Sequence, residues 1–405
     1  MSTGMSTATS ERLRRRLPTG PRALAWAGIL VGIAAFWVAL PPLTAREPIV
    51  PLLIGLVAVG LGIAALRQGV RRLGWGAVVI GVLGIVLGYL ATRSSVGHLD
   101  QVVVWSALTA AMLRYATPLA FAAMGGIFSE RSGVVNIGLE GMMLSGAFFG
   151  ILGADKLNSW SLGLLCAALA GGGFALIHAF FAIQLRADQI VGGTAINFLA
   201  LGVTGYLFID IYGGEGTPPN IPAIPDVHLS FLEDWYFIGP VLGQLNLMIW
   251  LAFLTIVTTW LVLFKTPIGL RIRAVGEHPR AADTVGISVY KTRYAAVVVS
   301  GILAALGGAY LSIGFVNSFN QNMTVGRGFI ALAAVIFGNW RPWGAAAAAL
   351  LFGFSSALAQ RLPAYSESAA VLFQALPYVL TLIAVAGVIG RSIPPASVGR
   401  PYQKQ

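Results

Sequence analysis

Polar side chains set in otherwise apolar stretches are the first chemistry this sequence offers. Asn136 and Glu140 stand four residues apart on one expected helix that opens after Gly133, so they should point the same way, and Glu140 lies in the middle of an apolar run. Further along, "VNSFNQNMTVGRG" gathers Asn317, Asn320, Gln321 and Asn322 near Phe315 and Phe319, while Asn197 follows Val191-Gly192-Gly193. An amide supplies both donors and an acceptor, which suits a neutral hydroxylated or heterocyclic molecule, and aromatic rings can stack on a flat one. Covalent chemistry is poorly served. Cys166 is the single cysteine, and His178 has no second His, Asp or Glu one turn away, so no nucleophile and base, and no metal cluster, can be read here.

The elements that must position these groups are membrane helices. Of 405 residues, 57% are hydrophobic, 10% are charged and 50 are glycine, a composition too apolar for a soluble core. Windows of about 20 apolar residues, each enough to cross roughly 30 Å of hydrocarbon, recur from Leu24 almost to the C-terminus. The runs are continuous rather than alternating, so the spans are α-helices and not barrel strands. They are expected near 24–40, 49–66, 73–91, 103–127, 134–153, 160–183, 189–210, 245–264, 294–315, 328–339, 343–361 and 369–390. The expected fold is an all-α integral membrane protein, a polytopic bundle of about 10–12 transmembrane helices. The stretch 103–127 is long and holds Arg114 and Pro118, whereas 328–339 is too short to cross unaided, so either is expected to be bent or re-entrant. "IFSERSG" at Ile127–Gly133 and "IFGNWRPWG" at Ile336–Gly344 each end one apolar segment and open the next, a hint of internal two-fold duplication. Gly171 to Gly173 and Gly307-Gly308 read as close helix contacts, and Trp340 and Trp343 as members of an interfacial belt.

The net charge of +11 comes from Lys and Arg placed between spans, which reports orientation and argues against a nucleic-acid partner. Arg12, Arg14, Arg15 and Arg16 precede an apolar run that ends at Pro41-Pro42 without a small-x-small cleavage site, the pattern of a retained signal anchor. With both termini in the cytoplasm, alternation leaves every Lys and Arg inside except Arg46, Arg93, Arg114, Lys156, Arg327 and Arg361. Residues Ile211 to Gln244 then form an outer, Pro-rich loop with Glu215, Asp226, Glu233 and Asp234 and no Lys or Arg. The organisation expected is a cytoplasmic basic start (1–23), additional spans (24–101), a core domain (102–390) and a cytoplasmic tail (391–405).

The longest inner loop runs from Lys265 to Arg293 and concentrates charge in a greasy chain. Within it Pro279 precedes Arg-Ala-Ala-Asp-Thr-Val and Gly286 follows, the expected start and stop of about two turns of helix. Two turns are unstable alone in water, so this segment needs a surface to dock on. Arg280 and Asp283, three apart, share a face and could pair.

Here the sequence resembles a known family. "GLRIRAVGEHPRAADTVGI", Gly269 to Ile287, looks like the cytoplasmic coupling loop of ABC-importer permeases of the nucleoside and simple-sugar branch. "RYATPLAFAAMGGIFSERSGVVNIGLEGMMLSGAFFG", Arg114 to Gly150, is similar to that branch's signature and closest to the nucleoside permeases. The resemblance runs from about Val104 to Ile389. It implies an importer of two permeases, identical or homologous, two cytoplasmic ATPase subunits and an extracytoplasmic binding protein, working by alternating access in the cell membrane. Glu277, Pro279, Arg280, Asp283 and Gly286 would form the coupling helix that enters a groove of the ATPase, with His278 as cap where members usually have Asn. The chain carries no GxxxxGK[ST] phosphate loop, so it binds no cofactor itself and hydrolysis falls to the partner.

On this reading Asn136, Glu140, Asn197, Asn317, Asn320, Gln321 and Asn322 belong to the substrate path, the last four as an outer vestibule. For the first pair a second reading stands, a helix clamp in which Asn136, Glu140 and Arg131 satisfy one another. The expected cargo is a nucleoside, with a simple sugar as the closer competitor. An ion-coupled carrier would bury coupling acids, and Glu140 alone fits that role. An intramembrane enzyme would need the paired groups that Cys166 and His178 do not provide.

Overall fold

The structure, a computed structural model, describes residues 20–39, 45, 47–92, 104–235, 237–361 and 392–404. The basic cluster at 12–16, the Pro41-Pro42 break and the span expected at 369–390 lie outside the described residues. The chain divides into two units, one from the N-terminus to Trp105 with short pieces of 359–390, the other comprising 106–358, 376–385 and 391–405.

The first unit contains α1 (Pro21–Trp37), α2 (Ile49–Arg67) and α3 (Arg71–Thr92), each packed on the other two. Their seams are lined with small residues. A Cβ on Gly32 would lie 2.9 Å from the Gly81 nitrogen, and one on Gly62 would lie 2.8 Å from the Val78 nitrogen. Trp26, Leu30, Leu53 and Leu56 point outward and are exposed. Small residues inside and large apolar ones outside suit lipid, where helices associate by close backbone approach and not by hiding Leu from water.

The second unit opens with α4 (Trp105–Arg131), α5 (Leu139–Lys156), α6 (Trp160–Ala179, widening into a π turn over Phe180–Gln184) and α7 (Gln189–Tyr212). A connecting region follows with β1 (Asp226–His228), α8 (Ser230–Glu233), α9 (Ile238–Leu242) and β2 (Gln244–Asn246), the two strands antiparallel with Asp226 opposite Asn246. Then come α10 (Leu247–Lys265), α11 (Pro267–Glu277), α12 (Pro279–Thr284), α13 (Val289–Ala309, continuing as a π segment over Tyr310–Val316), α14 (Arg327–Phe337) and α15 (Pro342–Arg361). Among the described residues eight helices are long and apolar enough to cross a membrane.

Helix α5 is the axis of this unit, buried along nearly its whole length and packed on α6, α7 and α13. Glycines let it come that close. A Cβ on Gly146 would overlap the Ala305 backbone, and one on Gly308 the Met143 carbonyl. Gly171 meets the Gly301 carbonyl in the same way, whereas Gly173 faces open space.

Helix α4 is continuous through Pro118, and the hydroxyl of Thr117 donates to the Leu113 carbonyl at 2.8 Å within the same turns. Helix α14 has only 11 residues and starts inside the bundle, beside Glu140. The span expected at 134–153 begins later. Gly133 takes φ +94°, residues 132–138 are irregular, and helix resumes at Leu139, so Asn136 and Glu140 do not share a helix.

Candidate functional site

Four separate segments converge at the end of the second unit that carries the 265–293 loop. Thr266 caps α11, accepting from the Gly269 N–H at 3.3 Å, and Pro267 occupies the first helical position. His278, at φ −138°, breaks the chain, Pro279 opens α12, and Gly286 at φ +84° ends it. The imidazole of His278 makes no capping hydrogen bond, which corrects the expectation that it would cap; Pro279 has no N–H to satisfy. Helix α11 is an addition to the expected loop and buries Ile272 and Val275.

Gly276 presses so closely on the Arg131 carbonyl that a Cβ there would overlap it. Beside it, Glu277 places one carboxylate oxygen 3.9 Å from an Arg131 guanidinium nitrogen and accepts from the Ala396 N–H at 3.1 Å with the other. Arg131 also donates to the Trp340 carbonyl at 3.0 Å, and the Trp340 indole donates to Glu130. The two echoing motifs, Ile127–Gly133 and Ile336–Gly344, are therefore neighbours in space. Trp340 is only 5% exposed and belongs to this packed contact and not to an interfacial belt, unlike the exposed Trp343.

Asp283 bonds with the Tyr402 hydroxyl, where the sequence suggested a pairing with Arg280. Burial, and then that carboxylate, push the Tyr402 phenol above its ordinary range. Val285, just past α12, is 74% exposed, and Arg280, Ala281, Thr284 and Gly286 are exposed with it. This gives α12 a braced inner side and a bare apolar tip flanked by charge. Val285 was not singled out from sequence, because an isolated valine carries no signal until its surroundings are known.

Asn136, Glu140, Asn197 and His178 each find protein partners, although Asn136 Oδ1 and His178 Nδ1 are buried without one. Glu140 sits at the N-terminus of α14: one oxygen accepts from the Thr324 hydroxyl (2.6 Å) and the Gly326 N–H (2.8 Å), the other from the Gly328 N–H (2.6 Å). A carboxylate there satisfies orphan amides and meets the positive end of the helix dipole. Asn136 donates to Ser300 at 2.9 Å and to the Met142 sulfur at 3.4 Å. Asn197 accepts from the Gly141 N–H at 2.8 Å and donates to the Ile137 carbonyl at 3.0 Å. His178 donates to the Val135 carbonyl at 3.0 Å. Asn136, Glu140 and Arg131 thus take three different sets of partners and do not satisfy one another, because the irregular 132–138 segment turns them apart.

At the opposite end of α13, Asn317 adopts φ +53° and donates to the Ile221 carbonyl at 3.3 Å. Asn320, Gln321 and Asn322 are exposed in the turns that follow. Phe319 is 2% exposed, its ring edge-on to Phe148 and Phe208 at 5.2 Å each, so it cannot stack on a passing ligand. Phe315 is 37% exposed and lies edge-on to Tyr115 at 5.5 Å, leaving an aromatic pair at this end.

Comparison with known proteins gives a consistent result. Residues 108–385 match the family described as branched-chain amino acid transport system / permease component. The chain is 45% identical over 327 residues to the guanosine ABC transporter permease protein NupQ of Bacillus subtilis, spanning 76% of this chain and 99% of that protein. It is 40% identical over 307 residues to the nucleoside ABC transporter permease protein NupC of Lactococcus lactis, spanning 73% and 96%. A second guanosine permease protein of Bacillus subtilis, NupP, is 26% identical over 315 residues, spanning 75% and 84%. No solved structure gives a significant match. Helices α1 to α3 precede the family match, which takes in the signature around α4 and α5, the α11–α12 loop and the α14 half-helix. The chain belongs to this family of polytopic helical membrane proteins and is an ABC transporter permease.

Proposed function

We propose that this permease carries nucleosides into the cell by alternating access, driven by a separate ATPase subunit that grips α12. The observation that supports the mechanical part is the placing of Arg280 on α12 and Val285 just past it, both exposed, while the end of α11 that leads directly into α12 is tied through Glu277 and Gly276 to the last turn of α4. A pull on α12 therefore reaches α4 through contacts of atomic thickness. The cargo follows from two nucleoside permeases that are similar to this chain along almost their whole length. An aromatic pair, the exposed Phe315 with the partly buried Tyr115, favours a flat heterocycle over a bare sugar.

The end carrying α11 and α12 faces the cytoplasm on this reading, since Lys265 to Arg293 is basic while Ile211 to Gln244 holds no Lys or Arg. The other end then receives cargo from an extracytoplasmic binding protein. Hydrolysis stays with the ATPase, as this chain has no phosphate loop. The second permease of the assembly is a homologue and not a copy, a reading supported by the two unlike guanosine permeases of Bacillus subtilis.

Two measurements test these assignments. Gly286→Val forces a β-branched residue into φ +84°, a strain of about 1–3 kcal/mol imposed on a six-residue helix. ATP-dependent uptake by the reconstituted transporter is expected to fall at least tenfold while membrane insertion persists; undiminished uptake would remove α12 from the coupling path. For cargo, uptake of labelled guanosine is expected to be competed by excess nucleoside and not by ribose or leucine. Competition by ribose alone would assign the sugar branch.

A further inference from the structure

We propose that residues 392–403 are a second coupling element: they strap α12 to the bundle and complete, with it, a basic socket for an acidic segment of the ATPase. The proposal rests on the reading of α12 as the ATPase-facing helix. The strap is bound along its length. The Ile393 N–H donates to Asn339 at 2.9 Å, Ser397 bonds the Gly276 and Glu277 carbonyls at 2.9 and 3.1 Å, and the Gly399 N–H donates to the Gly133 carbonyl at 3.3 Å. Tyr402 closes the far end, its carbonyl accepting from the Tyr290 hydroxyl at 3.4 Å and its ring packing with Val275, Ala282 and Val289.

Beneath the strap lies Arg293, 1% exposed, donating to the Ser132 carbonyl at 3.2 Å and the Arg400 carbonyl at 3.1 Å. A buried guanidinium costs desolvation, and here the Ser132 carbonyl and the strap's Arg400 carbonyl together offset part of it, which ties the two segments to one register. An idle chain end would not require it. The strap therefore registers the turn after α4, the start of α13 and α12 against one another, so that these move together.

Between the start of α12 and the strap is a cavity of about 590 Å³ lined by Glu277, His278, Arg280, Ser397, Arg400 and Tyr402 among others. Glu277 is the one acid among its lining residues, and its carboxylate is already taken by Arg131 and the Ala396 N–H. Arg280 and Arg400 are exposed and carry the remaining charge. A socket of this size admits a few side chains, and its electrostatics select carboxylates.

The test uses the assembled transporter, with both permeases, the ATPase and the binding protein, in proteoliposomes. Val285→Cys reports on α12 and Gln403→Cys on the strap; the single native cysteine, Cys166, is half-buried in α6. Both reporters are expected to crosslink to the ATPase. Arg400→Glu, which leaves the residue-400 carbonyl free to accept from Arg293, is expected to lower both crosslinking at 403 and uptake at least tenfold. Crosslinking at 285 but not at 403, with Arg400→Glu transporting normally, would overturn the strap and leave α12 as the coupling helix. Crosslinking at neither position would overturn both together. Crosslinking at 403 with normal uptake by Arg400→Glu would overturn the acidic occupant.

Discussion

Replacing Glu140 with Ala is expected to be the most damaging single change in the second unit, lowering folding stability by about 4 kcal/mol or more and abolishing uptake. Three donors depend on this carboxylate, the Thr324 hydroxyl and the Gly326 and Gly328 amides, of which Thr324 and Gly328 are buried where water does not replace a lost partner and Gly326 is partly buried. Each hydrogen bond to a charged acceptor is worth roughly 1.5–3 kcal/mol, and an orphaned buried donor costs a similar amount. Glu140→Gln should be intermediate, because one amide oxygen still serves Thr324 and Gly326 while its NH2 group meets the Gly328 N–H, donor against donor. Thermal unfolding of the detergent-purified protein checks the order wild type, Gln, Ala. An Ala variant that melts with the wild type would mean that α14 does not need its cap.

Glu277→Lys is expected to abolish transport by a different route. The change sets an ammonium against the Arg131 guanidinium and removes the acceptor for the Ala396 N–H. Glu277 is partly exposed, so the fold tolerates the substitution, and the damage falls on the tie between α11 and α4. Uptake in proteoliposomes is expected to drop a hundredfold or more with ATP hydrolysis retained, whereas Glu277→Gln, still able to accept from Ala396, keeps most of its activity. Wild-type uptake by the Lys variant would show that force does not pass through this contact.

What the sequence made legible was whatever composition and punctuation encode. The long helix through Pro118, the short one at 328–339, and the Pro279 start and Gly286 stop of α12 follow from apolar length and from backbone rules that act locally. Helix α11 was hidden because Arg271 and Arg273 alternate with Ile272, and charge masked the Thr266-Pro267 start that was there to be read. The strap was hidden for another reason. Pro394, Pro395, Gly399 and Pro401 give it no period, and most of its bonds are made by its main chain, which any sequence possesses.

The partners of the polar groups were beyond local reading altogether. Whether Asn136 shares a helix with Glu140 depends on where helix resumes after Gly133, and Asn197, from a helix some sixty residues on, pins that point through Gly141 and Ile137. Arg293 likewise read as one more basic residue of the loop until its buried position was seen.

The glycine seams around α5 carry a mechanical consequence. Where Gly308 meets the Met143 carbonyl and Gly146 meets Ala305, two helices touch backbone to backbone at these two points. At these points a slide of an ångström or two is expected to need no rotamer change, the small shear that packed helices allow. A small stroke arriving at this seam is then expected to pass between the two helices as a displacement of backbone against backbone.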